Sequence, residues 1–253
     1  MDITTQLEFL LEQANWQATE ESRRLGNASL PVLQKYATHE NYQIRQIALA
    51  CAAPLAAALT ASMLAMALID SNINVRVTAA NALAEKAYPP ELIAGAVLEQ
   101  MMSSPDEIVQ EKLALAAGYL PGENTLDVLR KLSLGTTQLA TNARLALAKL
   151  GDPESRTQLL NQLTSPIAKE RYEVIESLQY VNDRTLVPVI KKFLRDSDQA
   201  LMIGTKRNPR YRRVCDQAVD TIIFLLKLTV NFPHDPERIY RAEEIQQVEA
   251  SMG

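Results

Sequence analysis

The sequence contains few of the residues on which metal sites, disulfide frameworks and many catalytic sites depend. Its 253 residues include two cysteines, two histidines, eight glycines and 5% aromatic residues. His39 and His234 lie far apart, without the cysteine or carboxylate spacing of a metal site. No glycine-rich phosphate loop, nucleophile elbow or His-Glu-x-x-His string is present. We therefore expect no catalytic residues, no cofactor and no metal ion, and a protein that is not an enzyme.

The two cysteines and the N-terminus indicate the compartment. Cys51 and Cys215 fall at helical positions in separate parts of the chain, so we expect reduced thiols in the core and no disulfide. The first residues lack the basic start and apolar run of a signal peptide. These features predict a cytoplasmic protein.

Charge and hydropathy argue against nucleic acid and membrane as partners. The formal net charge is −4, which is unfavourable for general binding to phosphate backbones. Residues 46–69 carry no charge for 24 positions, long enough to cross a bilayer of about 30 Å. This stretch is rich in alanine and contains Pro54, so we predict two buried helices there.

A repeat of about thirty residues is the strongest positive feature. Copies of Asn74–Leu83 recur, and the residues equivalent to Val75, called anchors, are Ile44, Val75, Val109, Leu139, Glu170 and Val214. Their separations are 31, 34, 30, 31 and 44 residues. Offsets 0, +4, +8 and +11 lie within about 80° of arc on a helix. Twenty-two of these 24 positions are apolar, the exceptions being Lys86 and Glu170. A fixed period of this length is typical of stacked-repeat proteins.

Each copy is predicted to form two antiparallel helices, with proline or short polar turns at the helix starts. The predicted fold class is all-α, a right-handed α-α superhelix of about six helical hairpins in a single domain, residues 1–253. Residues 1–26 would form an N-terminal cap, 27–230 the repeats and 231–253 a C-terminal cap helix. Pro31 and Pro188 fall deeper in predicted helices and are expected to bend them.

The two-helix unit resembles the HEAT repeat, particularly the compact bacterial form found in HEAT-like repeats of phycobiliprotein lyases. The segments that carry the resemblance are 70–83 and 145–153, and it covers residues 27–230. Such repeats serve scaffolds, adaptors, lyase accessory subunits and a few enzymes, so the resemblance implies fold more than function. The third and fourth copies have Gln110 and Ala140 where the second has Arg76, which interrupts any continuous arginine ladder.

Arg45, Arg76 and Arg171 occupy the position after the anchor, at the edge of the apolar stripe. One interpretation is that they tie adjacent repeats together through aspartate or carbonyl contacts. The alternative is that they line the concave groove and bind an acidic partner. We include them among the candidate partner-binding residues.

The best functional lead is the long spacing before the sixth anchor. The extra residues lie near 197–211 and lead into a segment with five basic residues in eight. Insertions in solenoids emerge as loops, often on the binding face. The predicted partner-binding residues in this basic loop, 197–213, are Lys206, Arg207, Arg210, Tyr211, Arg212 and Arg213, which suit carboxylate or phosphate groups. The alternative is a solvated loop whose arginines pair with Asp196, Asp198, Asp216 and Asp220.

Three functions are compatible with these features of the sequence. The first is a non-catalytic scaffold, adaptor or assembly factor that binds another protein with an acidic surface, through its concave face and the basic loop. The second, implied by the resemblance alone, is an accessory subunit of a bilin lyase or a related pigment-protein maturation factor. The third is a HEAT-like DNA glycosylase, which the negative charge and the few aromatic residues disfavour.

Overall fold

The computed structural model describes residues 4–55, 58–205, 207–235 and 237–252. The chain divides into two compact units between Leu150 and Gly151, here called unit 1 and unit 2, and each is described by itself. The prediction of one domain over residues 1–253 stays a prediction.

Unit 1 is built from α-helices that follow one another with short turns. Their bounds are α1 (Thr5–Glu12), α2 (Ala18–Leu25), α3 (Leu30–Tyr36), α4 (Tyr42–Ala52), α5 (Ala58–Ala67), α6 (Ile73–Glu85), α7 (Pro90–Ser103), α8 (Glu107–Ala117), α9 (Glu123–Leu132) and α10 (Gln138–Lys149). From α3 onward the helices alternate as first and second members of hairpins. The second helices α4, α6, α8 and α10 pack side by side in chain order.

Unit 2 continues with helices and adds a small sheet. Its elements are α11 (Pro153–Asn161), α12 (Ala168–Val181), α13 (Val187–Lys191), β1 (Gln199–Thr205), β2 (Asn208–Arg213), α14 (Val214–Leu226) and α15 (Ala242–Ala250). Helices α12 and α14 pack against each other, and β1 packs on α12. The C-terminal helix that the sequence predicts is therefore present but short.

The core follows the repeat register. Of the 24 positions at the four anchor offsets, nineteen are buried, and the other five are Leu55, Lys86, Leu139, Leu150 and Glu170. The alanines at offset +4, such as Ala48 and Ala79, have no exposed surface. Small side chains at this level allow neighbouring helices to approach closely. The apolar stripe that defines the repeat is thus the surface that the helices bury.

Polar caps begin several helices where the sequence predicts them. Asn41 and Asn72 accept hydrogen bonds from backbone N–H groups two residues on, at 2.9 Å in both cases. The Thr137 hydroxyl accepts one from the N–H of Ala140, three residues on, at 3.2 Å. The prediction that Pro31 and Pro188 bend helix interiors is wrong. Both lie in the first turn of a new helix, α3 and α13, where a proline removes no hydrogen bond.

The uncharged stretch 46–69 spans α4 and α5, apart from residues 56 and 57, which lie outside the described residues. No helix in the described part of the chain is long and apolar enough to cross a membrane. Cys51 and Cys215 are both buried and free of disulfides. Burial raises the pKa of the Cys51 thiol to about 12 and that of Cys215 to about 11. Both thiols are therefore protonated near neutral pH.

Candidate functional site

The segment that the sequence predicts to be a basic loop is a β-hairpin. Strands β1 and β2 pair antiparallel, with Thr205 opposite Asn208, Met202 opposite Tyr211 and an irregularity between Gln199 and Leu201. We call residues 199–213 the basic hairpin. It is the one sheet among the described residues and the departure from the all-α expectation. The sequence of β1, QALMIGT, lacks clear period-two alternation of apolar and polar residues, so the strand was not predicted from the sequence.

A glycine near the tip of the basic hairpin meets two backbone requirements. Gly204 has φ +82°, in the left-handed region that side chains disfavour. A Cβ atom at this position would lie 2.8 Å from the carbonyl oxygen of Asn208. The close approach of the two strands here therefore depends on glycine.

One face of the hairpin is anchored and the other is open to solvent. Ile203 and Arg212 are buried, with 8% and 2% of their surface exposed. Strand alternation turns Met202 and Tyr211 to the opposite face, where they are 52% and 41% exposed. This exposed pair is directly cross-strand, the geometry in which two side chains contact each other.

Two predicted cations of the hairpin have no partner in the part of the protein that the structure describes. Arg207 and Arg210 are exposed, and within the described residues neither side chain forms an ion pair or hydrogen bond. Lys206, which the sequence also predicts to bind a partner, lies outside the described residues. The exposed surface of the hairpin therefore combines two cations, Arg207 in the turn and Arg210 cross-strand from Ile203, with the Met202–Tyr211 pair on the open face.

Arg212 differs from its expected place on the surface, because it lies at the centre of a buried network. Its Nη2 donates to Asp220 Oδ2, and its Nη1 donates to the Tyr172 hydroxyl at 3.1 Å. Asp220 Oδ1 accepts from the Tyr240 hydroxyl and lies 3.0 Å from His234 Nε2. With so little exposed surface, Arg212 holds the hairpin on α12 and α14 and is not available to a partner.

Arg213 fixes the junction between the hairpin and α14. Its backbone N–H donates to Asp216 Oδ2 at 2.8 Å, and its Nη2 donates to Asp216 Oδ1 at 2.7 Å and to the Tyr240 carbonyl oxygen at 2.6 Å. Hydrogen bonds to Asp216 raise the pKa of the guanidinium. Two of the four aspartates in the solvated-loop interpretation therefore do pair with cations of the segment: Asp220 with Arg212, and Asp216 with Arg213.

The three arginines that follow the anchors make contacts between repeats. Arg45 donates to both carboxylate oxygens of Asp70 at 2.7 Å, and Arg76 pairs with Asp106 at 2.6 Å. Arg171 binds Asp196 and Asp198, and its side chain is 9% exposed. Desolvation opposes ionisation of Asp70, but hydrogen bonds from Arg45 and a backbone N–H outweigh it and lower the carboxyl pKa. These contacts agree with the interpretation that the arginines tie adjacent repeats together. Partner binding through the same arginines stays a prediction.

A second hydrogen bond of these arginines shows what the third repeat retains where glutamine replaces arginine. Arg45, Arg76 and Arg171 each donate to the backbone carbonyl oxygen at position −6, and Gln110 Nε2 does so at 3.0 Å in the third repeat. Gln110 thus makes the same hydrogen bond to the carbonyl oxygen at position −6, but not the arginine–aspartate ion pair. Ala140 in the fourth repeat can make neither contact.

A polar cleft lies beside the hairpin in unit 2. Its volume is about 320 Å³, and its lining residues are Tyr172, Glu176, Gln179, Leu201, Arg212, Gln217, Asp220 and His234. Glu176 is exposed at the cleft, but neighbouring side chains desolvate its carboxyl group and raise its pKa, although the nearby Arg212 opposes the shift. Sequence patterns did not reveal Tyr172, Glu176 and Tyr240 as lining or supporting residues. Tyr172 is 40 residues from Arg212 and Tyr240 is 20 residues from Asp220, so these contacts leave no local pattern. No group of three or more His, Cys, Asp or Glu side chains suited to a metal ion occurs among the described residues.

Comparison with known proteins gives structural likeness only. No protein-family model matches the sequence, and no curated protein matches it significantly. The complex of CpcE and CpcF of phycocyanin lyase from Nostoc sp. PCC7120 aligns over 92% of this chain and 88% of that chain, with 14% identity and a TM-score of 0.58. YibA of E. coli aligns over 87% and 80%, with 19% identity and a TM-score of 0.48. Human deoxyhypusine hydroxylase aligns over 97% and 93%, with 19% identity and a TM-score of 0.38. The likeness to the lyase complex confirms that this chain has a HEAT-like helical-repeat fold.

Proposed function

We propose that the protein is a non-catalytic scaffold, adaptor or assembly factor that binds an acidic segment of another protein on its basic hairpin. The observation that carries the proposal is the exposed surface of the hairpin. Arg207 and Arg210 have no partner among the described residues, and Met202 and Tyr211 are exposed on the open face. The HEAT-like repeats supply the framework from which the hairpin projects.

The residue types on the exposed surface of the hairpin are ones that protein interfaces favour. Arginine, tyrosine and methionine are enriched at interfaces, and tyrosine and arginine contribute most of the energetic hot spots. Arginine's planar guanidinium can form paired hydrogen bonds with a carboxylate. An acidic segment with an apolar residue would therefore satisfy both the cations and the Met202–Tyr211 pair.

The hairpin is held in place before any partner binds. An isolated two-stranded hairpin is marginally stable in water, but here Arg212 and Ile203 root it on the helices and Arg213 fixes its second strand. A preorganised surface loses less conformational entropy on binding. The anchored arginines thus support the exposed ones.

A second contact region is proposed on the second helices of unit 1. A groove of about 430 Å³ lies beside α4 and α6, and its lining includes Ala50 of α4 and Thr78, Asn81 and Glu85 of α6. We propose this groove as the contact region of unit 1, separate from the hairpin of unit 2.

The lyase accessory role is the second candidate, favoured by the structural likeness to a complex of two lyase proteins. A tetrapyrrole bound by the purified protein would give visible absorbance and would favour this candidate. Salt-sensitive binding to duplex DNA would instead favour the glycosylase.

The proposal predicts that reversing the free cations abolishes partner capture. The variant Arg207→Glu/Arg210→Glu should lose the protein that wild type captures from native cell extract, as judged by mass spectrometry. Capture by wild type should also weaken with added salt, because the screening length is about 8 Å at physiological ionic strength. The melting temperature should change little, since exposed charges contribute little to folding.

A matched control carries the same charge change elsewhere in unit 2. Lys191→Glu/Lys192→Glu alters two exposed lysines outside the hairpin and should retain capture. If both variants capture the partner equally well, Arg207 and Arg210 are solvated side chains that do not bind the partner. Equal loss in both would indicate an effect of net charge alone.

A further inference from the structure

The polar cleft of unit 2 has hydrogen-bonding capacity that its own residues leave unused. It lies between α12 and α14, with Leu201 of the hairpin contributing an apolar wall. A volume of about 320 Å³ is at the lower end of the range for small-molecule sites, roughly 300–1,000 Å³. The chemistry of its unpaired groups indicates what it can bind.

The positive charge in the cleft is already neutralised. Arg212 donates to Asp220 and to the Tyr172 hydroxyl, and Asp220 accepts a further hydrogen bond from Tyr240. The Arg212–Asp220 pair therefore contributes no net charge. An anionic ligand would have to compete with Asp220 for Arg212, at the cost of leaving the buried carboxylate without its cation.

The negative charge of Glu176 remains. Its side chain is exposed at the cleft, and in the described part of the chain its carboxylate has no hydrogen-bond or ion-pair partner. Tyr172, Glu176 and Gln179 are spaced at i, i+4 and i+7 on α12, which puts them on one helix face. Glu176 thus lies on the side of the cleft that α12 forms, and the Arg212–Asp220 pair lines the same cleft.

Two amide oxygens add to the acceptors. Gln179 and Gln217 both donate from Nε2 to Thr221 Oγ1, at 3.1 and 3.3 Å, and Thr221 donates to the Ile175 carbonyl oxygen. These bonds fix which end of each amide points at Thr221. Within the described residues neither Oε1 atom accepts a hydrogen bond.

We infer that this cleft binds a guanidinium or primary ammonium group, with the Glu176 carboxylate as its counter-ion and Gln179 and Gln217 as acceptors. Such a group has several N–H donors and one positive charge, the complement of what the cleft leaves free. The same chemistry occurs in free small amines and in arginine or lysine side chains of another protein. The inference does not depend on the hairpin's role.

The test uses the full-length protein and calorimetric titration with three probes. Agmatine represents a free amine, N-acetyl-arginine amide represents a protein side chain, and N-acetyl-citrulline amide is its uncharged counterpart. At least one cationic probe should bind saturably and the citrulline probe should not. Binding of agmatine alone would identify a free amine as the ligand, whereas binding of the arginine amide would identify a protein side chain.

Two glutamate variants on α12 make the test specific. Glu176→Gln should weaken binding at least about tenfold, since a charge-assisted hydrogen bond is lost. Glu173→Gln alters an exposed carboxylate one turn away that pairs with Lys169 and does not line the cleft, so it should leave affinity unchanged. The proposal is overturned if neither cation binds, if citrulline binds as tightly as arginine, or if Glu176→Gln binds like wild type. Unchanged melting temperatures would show that both variants are folded.

Discussion

Asp220→Ala is expected to lower the free energy of unfolding by about 3–5 kcal/mol. The substitution leaves the guanidinium of Arg212 buried, with 2% of its surface exposed and without its carboxylate partner. It also removes the acceptor of the Tyr240 hydroxyl. Urea unfolding followed by circular dichroism would measure the loss.

Two further variants separate this effect from the general loss of an ion pair. Asp198 also pairs with an arginine, but its side chain is 65% exposed, so Asp198→Ala should cost less than about 1 kcal/mol. The double variant Asp220→Ala/Arg212→Met should be more stable than Asp220→Ala, because it removes the uncompensated charge. A loss in Asp220→Ala no larger than that in Asp198→Ala would contradict the buried network.

Leu147→Asp is expected to cost several kcal/mol of stability. Leu147 lies at offset +8 of the fourth repeat and is 1% exposed. Aspartate there removes core contacts and buries a carboxylate without a partner, and leucine truncation alone costs about 2–5 kcal/mol. The same urea unfolding experiment would measure it.

The control for Leu147 is a leucine that the register leaves outside the core. Leu134 precedes α10 and is 81% exposed, so Leu134→Asp should change stability by less than about 0.5 kcal/mol. Similar losses at the two leucines would mean that the repeat register does not describe the packing.

The helical core could be predicted because its information is periodic and local. Apolar side chains recur at helical spacing, and the caps Asn41, Asn72 and Thr137 stand directly before the helices they begin. The repeat spacing also predicted an insertion before the sixth anchor. Its structure was missed because β1 has a single buried residue, Ile203, and so lacks the alternation that marks a strand.

The roles of the arginines could not be predicted from residue type. Arginine is rarely fully buried, so all five cations of the segment were candidate partner-binding residues, with pairing to nearby aspartates as the alternative. The structure separates Arg212 and Arg213, which stabilise the root of the hairpin, from Arg207 and Arg210, which are exposed. The partners that decide this, Tyr172 and Tyr240, are 40 and 27 residues from the arginines they contact, and no local pattern reports such distances.

The most direct test of the central claim is hydrogen–deuterium exchange on the full chain, alone and in complex with the protein that it captures from native extract. Partner docking on the basic hairpin predicts slower exchange of backbone amides in residues 199–213, together with protection in the groove beside α4 and α6. Unchanged exchange across the hairpin, with protection confined to other helices, would contradict the claim.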